Sequence, residues 1–374
     1  MTSASTASRL LAPRATALAS ALATLLTTCA ALSTAHAQSA PTSTVTIYGI
    51  MDLGLEYRTQ NNAQGDKVLR VNSGGLNTSR LGFKGTEDLG GGLSAQFNLE
   101  SEIVADTGAA DTSAFFGRQA WVGIDSKAWG GVSLGRMSTV TYDFTIGHDF
   151  MGYAPQYSWV TASASVPKDG FTSRISNAVR YLGKFGNIKV GANVGLGEVA
   201  GSLNANTTRG VSVGYDEGPL SAQVSYDDGR SAATDTAHTS TSNRSWIASG
   251  TYVLGDVKLY AGVRDTKRNP VGSISATTKY HNTLYWLGAS APLSTNITGF
   301  GGVYVDNKAG NSDPVMLAAK LHYNFSKRTW AYLTAAVASA STDNGQGTLT
   351  GVYRDQTPVT HHQSGLGVGV QHRF

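Results

Sequence analysis

Few side chains in this chain could carry covalent or metal chemistry, and their spacing argues against both. Eight histidines are present, and the densest group is His361-His362 with His372. Neighbouring residues on a strand point to opposite faces, so His361 and His362 cannot close on one ion, and no cysteine stands beside them. No metal is expected. A hydrolytic centre would need a Ser/His or Asp/His set within reach, yet the histidines are scattered and none lies in a serine elbow. Gly195-Leu196-Gly197 and the glycines of Gly365–Gly369 do not open a helix after a buried strand, so no nucleotide loop and no cofactor is expected. The placement that does recur is basic. Arg80 and Lys84 alternate against Leu81 and Phe83, and Arg174 and Arg180 share a parity opposite Val179 and Tyr181. A row of fixed positive charge on a wet face sorts and steers ions.

The elements that must hold these charges are strands. From Gly365 to Phe374, Leu366, Val368, Val370, His372 and Phe374 fall on one face, while Gly365, Gly367, Gly369, Gln371 and Arg373 fall on the other. The segment Leu93–Val104 alternates as cleanly, with Leu93, Ala95, Phe97, Leu99 and Ile103 opposite Ser94, Gln96, Asn98, Glu100 and Glu102. Val45–Arg58 sets Tyr48, Asp52 and Glu56 against Ile47, Met51, Leu53, Leu55 and Tyr57. Helical periodicity to cover so many apolar faces is almost missing, so those faces must meet lipid. A sheet in a bilayer has to close on itself, because an open edge leaves amides without partners. The expectation is an all-β, antiparallel transmembrane barrel with about 16 strands, and fourteen or eighteen fit the same pattern.

The N-terminus fits export. Arg9 and Arg14 precede an Ala/Leu/Thr run, and Ala35-His36-Ala37 supplies a small-x-small cleavage pattern, so residues 1–37 read as a signal peptide and 38–374 as the mature domain. The one cysteine, Cys29, lies inside that leader, and Thr27-Thr28 before it makes a poor lipid-anchor motif. No segment approaches the roughly 18 apolar residues of a spanning helix. Lys and Arg number 29 against 25 Asp and Glu, and cleavage removes two of the arginines, so the mature chain is nearly neutral and no nucleic-acid partner is expected. Forty-four glycines and 16 tyrosines with 14% charged residues describe strands, turns and interfacial aromatics. Tyr252, Tyr323, Phe325, Trp330 and Phe374 are expected in the aromatic girdles, and Arg230 in an external loop.

One segment breaks the pattern. Residues 138–173 carry Tyr142, Phe144, Phe150, Tyr153, Tyr157 and Trp159 and no strand signal. So aromatic a loop would be unfavourable outside in water, and the barrel interior is the place that could take it.

Val45-Thr46-Ile47-Tyr48-Gly49, the block Ser79 to Leu93 (SRLGFKGTEDLGGGL), Gly117 to Gly123 (GRQAWVG), Val132 to Arg136 (VSLGR) and the terminal Phe374 together resemble the general diffusion porins of Gram-negative bacteria, in the neisserial and betaproteobacterial branch. The resemblance covers essentially all of the mature chain. It implies an outer-membrane homotrimer of 16-stranded barrels that passes small hydrophilic solutes and ions, with the third external loop folded inward as a constriction. It implies a basic wall of Arg80, Arg118, Arg136 and Arg174 facing loop acids, here Asp143, Asp149 and Asp169. It also makes Phe374 the signal read by the outer-membrane assembly machinery, with outer-membrane lipid and lipopolysaccharide as surroundings. Simple parity puts Arg118 with Ala120 and Val122, and Arg136 with Val132 and Leu134, so a bulge is needed to turn either inward. Charges of both signs nearly cancel along the lumen, so at most a mild anion preference is expected. The rival readings are a substrate-specific channel for sugars or anions and an outer-membrane barrel enzyme. Small residues at Gly299, Gly301, Ala335 and Ala336 are candidates for wall-to-wall contact.

Overall fold

The computed structural model describes residues 43–62, 64–110, 114–160, 172–230, 240–271, 280–308, 313–340, 351–352 and 362–374. The expected leader and Asp169 lie outside the described residues. The first strands are β1 (Ser43–Arg58), β2 (Val68–Ser73), β3 (Arg80–Gly90), β4 (Leu93–Val104), β5 (Ala109–Ala110), β6 (Gln119–Ser126) and β7 (Gly130–Ser138). A short helix, α1 (Val140–Thr145), and a 3-10 turn over Ile146–His148 follow. The middle of the chain is β8 (Arg174–Phe185), β9 (Ile188–Gly195), β10 (Thr208–Glu217), β11 (Leu220–Arg230), β12 (Ser240–Leu254) and β13 (Val257–Val271). It ends with β14 (Tyr280–Pro292), β15 (Ile297–Lys308), β16 (Val315–Asn324), β17 (Thr329–Ser339) and β18 (His362–Arg373).

Every neighbouring pair is antiparallel, and β18 pairs back onto β1 from Ile50↔Arg373 to Arg58↔Gly365, which closes the sheet. The 18 segments make 16 staves. β2 and β3 share one stave, because β1 pairs its Leu53–Arg58 half with β2 and its Ser43–Ile50 half with β3. β5 is a two-residue ribbon on the end of β4. The expectation therefore holds in number and misses one piece, Val68–Ser73, whose strand is interrupted by the turn at Gly74. At one end lie both chain termini of the barrel and the short turns near Gly91, Lys127, Gly186, Gly218 and Gly255, which is the periplasmic pattern.

Burial is inverted relative to a water-soluble sheet. Leu366, Val368 and Val370 are about half exposed (48–51%), whereas Gln371 between them and the chain end is fully buried. Only a hydrocarbon surround makes that arrangement favourable, at roughly 25 cal/mol for each Å² of apolar surface kept from water. Tyr323 and Phe325 form an exposed outer pair with ring centroids 5.0 Å apart. Trp330 corrects the girdle expectation. It pairs with Gln371, packs against the lumenal apolar cluster and lies under Arg373, 4.7 Å from its ring. Ala336 likewise turns inward and is buried, while Ala335 stays outside. Arg230 ends β11 and pairs with Asp228 at 3.5 Å, so it belongs to a strand and not to a loop.

The large apolar core sits inside the barrel. Leu76, Phe150, Tyr153, Tyr157, Trp159 and Val160 pack against Ile247, Leu284, Trp286, Tyr304, Met316 and Tyr332 of the wall. The Phe150 ring lies on the bare backbone of Gly288 and Gly302, where a Cβ would come within 2.5 and 2.7 Å of it. Alanine at either position would displace the ring.

Candidate functional site

Residues 140–148 are fastened to the lumenal side of β9 to β12, where Val140 N–H donates to Asn193 and Gln223 donates to Thr145, and residues 149–160 to that of β13 to β18 and β1. Asp149 is the hub: its carboxylate accepts from the backbone N–H of Met151 (3.3 Å) and Tyr153 (2.8 Å), from Ser158 Oγ (2.7 Å) and from the Tyr304 hydroxyl (2.5 Å). Other wall groups reach loop carbonyls, Trp286 Nε1 to His148 (2.9 Å), Lys320 Nζ to Met151 (3.1 Å) and the Arg264 guanidinium to Val160. Further along, the Tyr157 hydroxyl donates to Glu56 (3.2 Å) and Gln156 N–H to the Gly75 carbonyl (3.0 Å). Tyr153 and Tyr157 sit at φ 57° and 64°, a region costing bulky residues about 1–3 kcal/mol. Asp149 and Glu56 hold these two strained residues in place.

A second buried carboxylate repeats the device. Asp52 accepts from the backbone N–H groups of Gly75 (3.2 Å), Leu76 (3.0 Å) and Asn77 (2.8 Å) and from the Tyr332 hydroxyl (2.6 Å). Residues 74–79, the interruption between β2 and β3, are thereby pulled against the loop. His148 bridges the same assembly to the wall, Nδ1 to Ser249 Oγ (3.0 Å) and Nε2 to Ser221 Oγ (2.9 Å). Burial, aided by the Lys258 charge, pushes its pKa down to about 4, so it is neutral at ordinary pH.

The opposite wall gathers charge. Arg118 Nε donates to Glu100 at 2.6 Å and its Nη1 lies 3.4 Å from Glu102, while Arg80 stands 3.7 Å from the same Glu100. Tyr48 completes the ring of partners, its hydroxyl donating to Glu100 at 2.8 Å. Arg174 is within electrostatic reach of Arg118, Arg80, Glu100 and Tyr142 of the loop. Lys84 lies 5.4 Å from the Tyr48 ring centre, on the same face. Arg118 reaches this cluster from a bend just before β6, since Gln119 is the first residue opposite Glu100. Alternation counted from inside the strand could not place it.

Arg136 is the exception among the basic residues. It pairs with Ala120 on the outward row, across the irregularity at Gly135 (φ 131°), and its guanidinium donates to the Gly117 carbonyl (2.6 Å) and Ser176 Oγ (2.7 Å). The bulge exists, but it brings Met137 inward beside Ile175 and Trp121.

The two described loop acids are also engaged elsewhere. Asp143 pairs with Arg180 (2.8 Å) and accepts from Ser138 Oγ (2.7 Å); burial holds its carboxyl above the ordinary value although Arg180 pulls it down. Asp149 is buried in its own loop. Asp143 is also within electrostatic reach of Arg174, at the edge of the Arg80–Arg118–Arg174 cluster, which Tyr142 of the loop approaches as well. Tyr304 and Lys320 were the unforeseen members of the site, whereas Asp52 and Glu100 were expected on the wet faces of their strands without their partners. Their sequence signal was a charged or phenolic residue on the wet face of a strand, which the aromatic loop then covered.

A closed barrel with a lipid-facing outer surface, its lumen crossed by an anchored loop and lined by a basic cluster, defines an outer-membrane channel. The Gram-negative porin family model matches residues 17–370, and the chain belongs to that family. Outer membrane porin protein 32 of Delftia acidovorans is 32% identical over 348 residues, covering 89% of this chain and 94% of the relative. An outer membrane porin of Bordetella pertussis is 28% identical over 392 residues, covering 91% of this chain and 96% of its own. The solved anion-selective porin from Comamonas acidovorans superposes with a TM-score of 0.74 at 28% identity, over 89% of this chain and all of that one.

Proposed function

We propose that the channel is narrowed between the anchored loop and the Arg80–Arg118–Arg174 cluster, and that it passes small hydrophilic solutes with a preference for anions. The observation that carries this is the charge inventory at that level. Arg80 and Arg118 pair with Glu100 and Glu102, and a third guanidinium, Arg174, lies within electrostatic reach of them. Of the acids expected to balance them across the opening, Asp143 is bound to Arg180 with Arg174 also in reach, and Asp149 is bound within the loop itself. With a Debye length near 10 Å at 0.1 M salt, such local charge governs selectivity more than charges farther along the lumen. The solved relative's anion selectivity agrees with this reading. The zero-current potential across a KCl gradient tests it: the sign of chloride preference is expected, and cation preference would overturn it.

The same reading makes the assembly a homotrimer in lipid and lipopolysaccharide, exported through a cleaved leader over 1–37. A folded species of monomer mass in mild detergent would refute the trimer. Phe374 is the proposed assembly signal: its ring covers Gly49, and Gly49 and Phe374 exchange backbone hydrogen bonds of 3.1 and 3.2 Å. Deleting it should abolish the heat-modifiable folded form in outer membranes, and normal yield would count against the role. Hydrolytic activity of the pure protein without conductance would replace the channel reading by an enzyme.

A further inference from the structure

On the periplasmic side of the loop the lumen holds a cavity of about 670 Å³ whose lining is neither a plain water channel nor part of the arginine cluster. Lys127, Lys184, Lys189 and Lys258 surround it. Lys184 and Lys189 stand directly opposite each other on β8 and β9, an arrangement of like charges that weakens a sheet. Of the lining acids, Asp216 takes Lys189 and Asp143 takes Arg180, which leaves Asp125. Among the described residues no carboxylate lies within bonding distance of Lys127, Lys184 or Lys258. The cavity floor is apolar. Phe144 and Ile146 come from the loop and Leu182 from the wall, all half-exposed, and the Phe144 ring rests on the backbones of Gly191 and Gly214, 3.0 and 3.3 Å from where a Cβ would stand.

Leucine on the inward row of a porin strand, with a loop phenyl ring beside it, leaves apolar surface facing water. Such surface ringed by a few cations is the composition of a small-molecule site, and its size lies in the usual range for one. We propose that this vestibule binds amphiphilic organic anions, a carboxylate attached to an aromatic or short aliphatic body. The body lies on Phe144, Ile146 and Leu182, and the carboxylate reaches the unpaired Lys184 and shares Lys189, opposite it, with Asp216. The pore would then hold two anion stations in series, the arginine cluster for charge alone and the lysine vestibule for charge with an apolar tail. This rests on the channel reading, and goes beyond it by naming a solute class and a separate place.

Phenylacetate is the probe, titrated against the chloride current of the full-length porin in planar bilayers, with acetate and benzyl alcohol as controls. Phenylacetate is expected to block at a concentration roughly tenfold below acetate, because a buried phenyl ring adds apolar contact. Benzyl alcohol should not block. The double variant Lys184→Gln, Lys189→Gln should raise the half-blocking concentration about three- to tenfold and leave chloride preference intact. Leu182→Gln, a wall substitution that spares the loop, should erase the difference between phenylacetate and acetate. Equal block by the two acids, or unchanged block in both variants, would overturn the vestibule while the channel stands. Lack of chloride conductance in the unmodified protein would instead remove the channel reading.

Discussion

The two sides of this lumen are built from the same alternating strands and treat charge in opposite ways. On the wall from β13 to β18 and β1, Arg264, Trp286, Tyr304, Lys320 and Glu56 are spent on the loop, and Asp52 and Tyr332 on the neighbouring residues 75–77. Asp52 and Asp149 each take two or more backbone N–H groups and one tyrosine hydroxyl, and Lys320 and Arg264 end on carbonyls. On the wall from β3 to β8, guanidinium groups crowd round Glu100 and Glu102. The first side turns charge into fixed geometry; the second also buries Arg118 and ties Arg180 to Asp143, but leaves Arg80 and Arg174 partly exposed to the lumen. A charged side chain in a pore therefore says little about selectivity until its partners are known.

The largest expected effect comes from cutting the anchor. Asp149→Ala should release the loop, since several charge-assisted hydrogen bonds worth about 1.5–3 kcal/mol each are lost together. Single-channel records should show a larger and flickering conductance, and steady wild-type steps would show that Asp149 is no anchor. The complementary break is on the basic wall. Arg118→Glu should move the zero-current potential toward cations with little change in conductance stability, and the shift should shrink as salt rises. Arg328→Glu, in an exposed turn, serves as control, and equal shifts in both would take Arg118 away from the narrowest point.

A smaller effect is tied to pH. An unconstrained histidine titrates near 6.5, and docked His148 near 4. Over that interval the undocked loop takes up a proton and the docked loop does not, so docking should weaken as pH falls from about 6.5 to about 4. Flicker should rise through this window and the rise should be lost in His148→Gln; a flat response in the wild type would contradict the buried neutral imidazole. Smallest is Tyr332→Phe, which removes one of the four donors to Asp52. A loss of about 1–2 kcal/mol is expected, seen as a slightly lower heat-dissociation midpoint with unchanged selectivity.

How much of this could be read in advance followed the period-two rule. Where it ran unbroken, as in Leu93–Val104 and the last strand, faces and pairing came out right, and Arg80, Lys84 and Arg180 were placed inward by parity alone. It failed where a strand begins with a bend at Arg118, is bulged at Gly135, or is broken near Gly74. Within the loop there is no period at all, so Asp149 could be named as an acid but not as the centre of its own turn. Whether Tyr304 or Tyr332 would find a carboxylate depends on pairing across more than a hundred residues of chain, which local pattern does not encode.

The seam between the first and last strands has a consequence for the order of events in making the protein. Thr59 bonds Ser364 across 305 positions of sequence, and Gly49 meets the final residue. Contacts so distant are slow to form, because the whole intervening chain must be confined before they yield any stabilisation. Until β18 is in place, every intermediate carries two unpaired strand edges, each a template for aggregation. Closure thus rests on the whole of β18: without that strand the sheet is an open ribbon rather than a slightly smaller pore.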